Sequence, residues 1–316
     1  MLIKGVTLKG LEVFEALAAS GSVAQAAQAT GLSQPAVSQQ IRNLESALGT
    51  ALVDHGKRPM SLTPAGRSFL TRAQTALSEL RLGQSELAVL DLGHLSTLSM
   101  GIIDDFDNDL TPRLATILAE TLNGGHLTLL TAPSLGITTA LRDRSLHLGV
   151  AASSGEVIAG VQETRLVRDP FILVSPRDTA PTDAMSGLPF LRYDADQLIS
   201  QQIETQLARA GQTFDDHFQI GSHVALMALV ANGAGWTITT PLGFMRAGRF
   251  HDRVAAHPLP FAPFTRTISL YASADWPEDV PATVATTLRA LLREQVIDPA
   301  RAALPWLGDS LSLIGD

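Results

Sequence analysis

Residues 20–49 read SGSVAQAAQATGLSQPAVSQQIRNLESALG, and this stretch sets the fold of the amino-terminal part. Ser20-Gly21 ends a preceding helix, because glycine takes the left-handed cap conformation at little cost. Ser22 is placed to cap a short helix, Val23 to Thr30, whose Ala24, Ala26, Ala27 and Ala29 let a neighbouring helix approach closely. Gly31-Leu32 makes the next turn, and Ser33 is the N-cap of a third helix opened by Gln34 and Pro35, where a missing amide costs nothing. Val37, Ile41, Leu44 and Leu48 stand at i, i+4, i+7 and i+11 and form that helix's buried stripe. Gln34, Ser38, Gln39 and Arg42 then share its wet face. Amides, a hydroxyl and a guanidinium suit base edges and phosphates.

Upstream, Leu8, Leu11, Phe14 and Leu17 recur at three-residue steps and predict a first helix. Two helices joined by a tight glycine turn, the second polar on its outer face, have helix-turn-helix geometry. An ordinary three-helix packing unit with a solvated polar face fits the same periodicity. Downstream, residues 65–91 contain no proline and read as one long helix. Leu70, Leu77 and Gln84 repeat every seven residues, and Ala73, Leu80 and Leu87 form a second series. That a/d pattern predicts a two-helix seam with Gln84 as a polar interruption, the alternative being a stripe packed on its own domain.

The same residues resemble the LysR-type transcriptional regulators. The resemblance rests on Phe14, Ser22, Ala26-Ala27, the run Leu32-Ser33-Gln34-Pro35-Ala36-Val37-Ser38, Ile41, Leu44-Glu45, Leu48-Gly49 and Leu62-Thr63-Pro64-Ala65-Gly66. Val53 and His55 stand where family members usually carry Phe and Arg. The resemblance implies a winged helix-turn-helix over residues 6–64, with Ser33 to Glu45 in the major groove of promoter DNA. Gln34, Ser38 and Gln39 are then the candidates for base edges, Arg42, Lys57 and Arg58 for phosphates, and Ser22, Ser33 and Pro35 complete the expected DNA-binding set. It further implies dimerisation through the linker helix (65–93), a dimer of dimers on DNA, a small-molecule effector, and RNA polymerase as a further partner.

From Leu95 onward short apolar runs alternate with helical segments. Strands are expected at 95–103, 126–131, 146–151, 166–174, 189–193, 216–220, 235–239 and 266–273, and helices at 110–122, 134–142, 196–210, 222–232 and 280–294. Strand and helix taking turns predicts an α/β architecture with largely parallel sheets. The resemblance makes this body, 94–297, a two-lobed periplasmic-binding-protein-like effector domain, with lobe I at 95–167 plus 268–295 and lobe II at 168–267. The tail, 298–316, holds Trp306, Leu307, Leu311, Leu313 and Ile314. It is too apolar for a plain solvated end and fits docking on its own domain or on a neighbouring subunit.

Ligands of open α/β sheets sit beyond the carboxyl ends of strands. The effector candidates therefore follow strands: Ile103, Asp104, Asp105 and Phe106; Ala132 and Ser134; Arg192 and Tyr193; Gly221 and Ser222; Thr239 and Thr240. Ser134 and Ser222 are also possible helix caps. Asp105, Asp107 and Asp109 have the spacing that opens a calcium loop, but Leu110 and Thr116 replace its Gly and Glu, so calcium is rejected. The acids complement a helix N-terminus, or else Asp104 or Asp105 selects a cationic or hydroxyl-bearing effector. An inward Arg192 would argue for a carboxylate instead.

The 316 residues hold no cysteine, which removes disulfides, thiolate metal sites and thiol-based redox sensing. Eight histidines are dispersed without metal-ligand spacing, and no GxSxG elbow or P-loop occurs. Gly233-Ala234-Gly235 is too short for a dinucleotide fingerprint. No catalytic residues, metal or cofactor are therefore expected, and no enzyme. Residues 1–93 carry eight basic and seven acidic side chains, the remainder fifteen and twenty-four. A mildly basic head on an acidic body would meet a polyanion head-first. No apolar run approaches the ~20 residues of a membrane span, and the start lacks an export signal, so a cytoplasmic protein is expected. The other class consistent with the pattern is a cytosolic small-molecule binding protein whose helical head only oligomerises.

Overall fold

The structure is a computed structural model that describes residues 5–54, 56, 59–89, 97–122, 124–215, 218–273 and 279–315, with only the backbone described at 78–79, 81–89 and 279. The chain divides into two compact units, Met1–Gln84 and Ser85–Asp316.

In the first unit, three helices α1 (Leu8–Ser20), α2 (Val23–Thr30) and α3 (Gln34–Leu48) precede a two-stranded antiparallel wing, β1 (Val53–Asp54) and β2 (Ser61–Leu62), and the long helix α4 (Pro64–Val89). Their apolar stripes converge on one core: Leu11, Phe14, Leu17, Ala26, Val37, Ile41 and Leu44 are buried together with Val53. Val53, smaller than the Phe usual in the resembling family, is still only 2% exposed. Gly21, at φ 62°, turns α1 into α2, and its carbonyl accepts the Met60 amide at 3.0 Å, which ties the wing to that turn. Thr63 caps α4, taking the Gly66 amide at 2.9 Å while its own hydroxyl donates to the Ala51 carbonyl. A Cβ at Gly66 would stand 2.0 Å from the Leu52 carbonyl oxygen, so only glycine lets α4 lie so close to the chain entering the wing.

Ala73 and Leu77 of α4 are buried in this same core and Leu70 packs half-buried against it. The first half of the predicted seam is thus taken by its own unit, which corrects the expectation that Leu70, Ala73 and Leu77 face a second helix. Leu80 is 51% exposed, and the side chains of Gln84 and Leu87 lie outside the described residues.

The second unit is two-lobed. Its larger sheet comprises β3 (Thr97–Ile102), β4 (His126–Thr131), β5 (Leu148–Ala152), β6 (Val161–Pro170), β12 (Thr265–Ser273) and β13 (Ser312–Leu313), in the order β13-β6-β12-β5-β3-β4. Only β3 pairs in parallel, with β4 and β5; β12 runs antiparallel to β5 and β6, and β13 antiparallel to β6. Helices α5 (Leu110–Thr121), α6 (Ser134–Arg142) and α11 (Asp279–Leu292) belong to this lobe. The smaller lobe is built on β7 (Ile172–Pro176), β8 (Leu191–Tyr193), β9 (Phe218–Ile220), β10 (Thr237–Thr239) and β11 (Val254–His257). β10 and β11 flank β7 in antiparallel fashion, β8 and β9 are parallel, and a Phe190–Trp236 bridge links the two sets. Its helices are α7 (Pro181–Gly187), α8 (Leu198–Arg209), α9 (His223–Ala231) and α10 (Pro241–Arg246).

Two expectations are corrected here. The sheets are mixed rather than largely parallel, because β6 and β12 cross between lobes and pair antiparallel with each other. The strand expected at 166–174 is two strands in different sheets, broken at Phe171, whose ring stacks on Phe264 at 4.4 Å where the chain crosses. Trp236 is fully buried between Phe190 and Phe214 in the smaller lobe. The tail docks on its own unit: after α12 (Asp298–Ala303), Leu307 and Leu311 are buried, β13 extends the larger sheet, and Arg301 donates to the Leu311 carbonyl at 2.7 Å.

Candidate nucleic-acid interface and effector cleft

The polar face of α3 is open. Ser33, Gln34, Pro35, Gln39 and Arg42 are exposed, and Ser38 is half-buried in a shallow groove shared with Val23, Gln34 and Pro35. Ser33 caps the helix through the Ala36 amide at 3.4 Å. Ser22 sits at the N-cap of α2 but its hydroxyl makes no cap bond; its amide instead donates to Ser20 Oγ. The exposed amide of Gln39 is oriented at both ends, its Nε2 donating to Asn43 Oδ1 at 2.8 Å and its Oε1 accepting from Arg42 Nη2 at 3.0 Å. Asn43 was not singled out in the sequence, although its place one turn beyond Gln39 is the signal. Glu45 reaches back to the wing, its Oε1 taking the Leu52 and Val53 amides at 2.8 and 3.1 Å. Lys57 and Arg58 lie outside the described residues.

The effector candidates divide. Asp104, Asp105, Tyr193, Thr239 and Thr240 come together with four residues that sequence reasoning missed: Asp169, His223, Arg246 and Arg266. Arg266, 5% exposed, donates from Nε to Asp169 Oδ2 at 2.8 Å and from Nη2 to Asp105 Oδ2 at 2.6 Å and Thr240 Oγ1 at 3.0 Å. Arg246, the last residue of α10, bonds Asp104 Oδ2 at 2.5 Å and Asp107 Oδ2 at 3.3 Å. Beside them Tyr193 and His223 are buried with stacked rings. The Tyr193 hydroxyl lies 2.6 Å from His223 Nδ1 and 2.8 Å from Thr239 Oγ1, and His223 Nε2 lies 2.6 Å from the Gly243 carbonyl. A carbonyl only accepts, so Nε2 carries the proton and Nδ1 accepts from the tyrosine. A Cβ at Gly243 would stand 2.8 Å from the His223 ring, which accounts for glycine there.

Burial decides the titration of this cluster. It pushes Tyr193 up and His223 down, since each is then held neutral. Asp169 is raised to about 6 by burial against the opposing pull of Arg266. In Asp105 burial is the largest influence, but the charge and hydrogen bond of Arg266, with the charge of Arg246, outweigh it and hold the carboxyl below its usual value.

The other candidates are employed elsewhere. Ile103 and Phe106 are buried core residues, 3% and 2% exposed. Ser134 is no cap: it is the first helical residue of α6, and its hydroxyl accepts the Ala152 amide. Ala132 donates its amide to Ile102, Gly221 accepts Gln197 Nε2, and Ser222 caps α9 through Ala225. Arg192 gives its guanidinium to the Phe214 and Asp215 carbonyls and to Glu204, over the ring of Phe190. It is a brace within the smaller lobe and not the inward charge that would select a carboxylate effector. Of the acids at 104–109, Asp109 stands at the N-cap of α5 without a side-chain cap bond, and Asp104, Asp105 and Asp107 are bonded to Arg246 and Arg266. Among the described residues no group of three ligand-type side chains is arranged to hold a metal ion.

A helix-turn-helix with an open polar helix, a wing, a long helix and a two-lobed α/β body defines a regulator that couples DNA binding to a body able to receive a ligand. Residues 8–67 match the bacterial regulatory helix-turn-helix proteins of the lysR family, and residues 93–296 match the LysR substrate binding domain. The chain belongs to the LysR family of transcriptional regulators, with a DNA-binding head and an effector-binding body. It is 27% identical over 251 residues to the HTH-type transcriptional regulator YfeR of Shigella flexneri, covering 75% of this chain and 79% of that one. Among solved structures it resembles a hydrogen-peroxide-bound cysteine-to-serine mutant of Corynebacterium glutamicum OxyR, with a TM-score of 0.54 at 22% identity over 95% of this chain and 96% of that one. It also resembles Vibrio fischeri DarR in complex with DNA, with a TM-score of 0.50 at 22% identity over 90% and 98% of the two chains.

Proposed function

We propose that this regulator binds promoter DNA as a homodimer, assembled into a dimer of dimers, through the exposed face of α3. Gln34, Ser38 and Gln39 read base edges; Arg42, Lys57 and Arg58 meet phosphates; Ser22, Ser33 and Pro35 complete the contact surface. The observation that carries this reading is the exposure of that polar face over a fully buried Val37–Ile41–Leu44 stripe. Dimerisation uses α4 from Leu80 onward, Leu80 being 51% exposed while the earlier stripe is buried in its own unit. Pairing two heads doubles the site read and adds avidity. The protein works in the cytoplasm, in keeping with the lack of any described helix long and apolar enough to cross a membrane, and RNA polymerase is its partner at the promoter.

The effector enters between the lobes, at the cluster of Asp104, Asp105, Tyr193, Thr239 and Thr240. Its binding shifts the subunit arrangement by its differential affinity for the two states, commonly ~1–3 kcal/mol. Peroxide chemistry at a thiol does not carry over from the OxyR likeness, because the chain has no cysteine. The test is retardation of DNA from upstream of the protein's own coding sequence at graded salt. Contact with Z phosphates gives a log–log slope near −0.9Z and a preference over scrambled DNA. A flat response without preference would return the reading to a binding protein whose head only oligomerises.

A further inference from the structure

We propose that the turn Asp104–Asn108 is a latch: it grips Arg246 of the smaller lobe and holds the two lobes closed, so it is the contact a cleft-opening ligand has to break. The proposal rests on the effector-cleft reading and adds to it how that cleft is kept shut. Asp104 and Asp107 take the two terminal nitrogens of one guanidinium, and Asn108 Nδ2 donates to the Arg246 carbonyl at 2.9 Å. Side chain and main chain at the end of α10 are therefore held by the same five-residue turn. Asp107 is itself steadied, its Oδ1 accepting from Thr131 Oγ1 at 3.0 Å. On the other side, α10 is fixed at its start by Thr240, which caps it and also accepts from Arg266.

Burial separates this contact from its neighbour. Arg266 and Asp169 are 4% and 0% exposed in their side chains and stand on the paired crossover strands, so separating them would disrupt the β6–β12 pairing itself. The Asp104 and Asp107 side chains are 47% and 33% exposed, with Arg246 at 14%. Such a pair is within reach of water and salt, and can open while the lobes stay folded. The turn also explains an otherwise odd sequence: each of its polar residues has a partner on or beside the smaller lobe.

The experiment is hydrogen exchange on the full-length protein without DNA or added ligand. It compares wild type, Arg246→Gln, the double variant Asp104→Asn/Asp107→Asn, and all three changes together. The latch predicts that either set speeds exchange about five- to tenfold in both residues 104–110 and 241–250, and that the triple variant is no faster than the faster of the two. Salt at ~0.5 M should raise exchange in wild type and leave Arg246→Gln unmoved. Additive effects, an unchanged 241–250 segment after neutralising the acids, or an equal rise throughout α11 would each overturn the latch. Since neither DNA nor effector is present, that failure leaves the regulator reading to be judged by its own salt titration.

Discussion

Asp169 and Arg266 face each other across the antiparallel crossover strands β6 and β12, and Asp169 Oδ2 accepts from Arg266 Nε at 2.8 Å at the point where the chain passes between lobes. Asp105 bonds the same guanidinium, so one buried positive charge serves two carboxylates. Burial raises Asp169 to about 6 against the pull of that guanidinium, whereas in Asp105 the arginine charges outweigh burial and hold the carboxyl low.

A pH dependence follows from that division. A carboxyl raised when folded adds stability that is complete below its ordinary value of 3.8 and is lost as pH rises through about 6. Asp169→Asn removes this dependence while Asp105, of opposite sign, remains in both proteins. Urea unfolding at pH 4.5 and pH 7 should therefore show the variant gaining on wild type toward neutral pH, by at most about 2 kcal/mol. An equal difference at both values would contradict the assignment.

Gly66→Ala should destabilise the head by about 1–3 kcal/mol, because the new methyl meets the backbone oxygen of Leu52 rather than a yielding side chain. Differential scanning calorimetry of the full chain resolves the effect as an earlier transition for the head alone.

Glu45→Ala leaves the Leu52 and Val53 amides without their carboxylate acceptor. A loss of about 1–3 kcal/mol is expected, with faster amide exchange confined at first to the entry of the wing. Exchange unchanged there would mean that the carboxylate is replaceable by water.

Leu77→Ala and Leu80→Ala should behave oppositely, though the residues are three apart on one helix. The first opens a cavity in the head and costs about 2–5 kcal/mol. The second leaves the fold intact and raises the dimer dissociation constant, as sedimentation equilibrium would show. Equal loss of stability in both would place Leu80 in the same core.

The head was legible because its information is local: a 3.6-residue stripe, glycine turns and the Ser33 cap all lie within a few residues of what they determine. The body's elements were partly legible for the same reason, yet the short helices α7, α10 and α12 and the strands β11 and β13 escaped notice. Thr240-Pro241 did carry a helix-start signal, since a capping threonine before a first-turn proline is a known pattern. Sheet direction was misread because it depends on two long crossover strands pairing, which no window of sequence contains. The site fared likewise. The acidic turn stood out, whereas its arginine partners lie 142 and 161 residues further on, where nothing nearby marks them. In α4 the heptad pattern was real, but periodicity cannot say which surface buries the stripe.

Sequence-specific binding rests on the outer face of α3, and affinities for operator variants probe that face. Affinities of wild type, Gln34→Ala, Ser38→Ala and Arg42→Ala are measured against a panel of single-base changes at several salt concentrations. Gln34→Ala and Ser38→Ala should each relax discrimination at defined positions by about 1–3 kcal/mol, while Arg42→Ala weakens all sequences alike and lowers the salt slope by about one. Identical, position-independent losses for all three substitutions would contradict it.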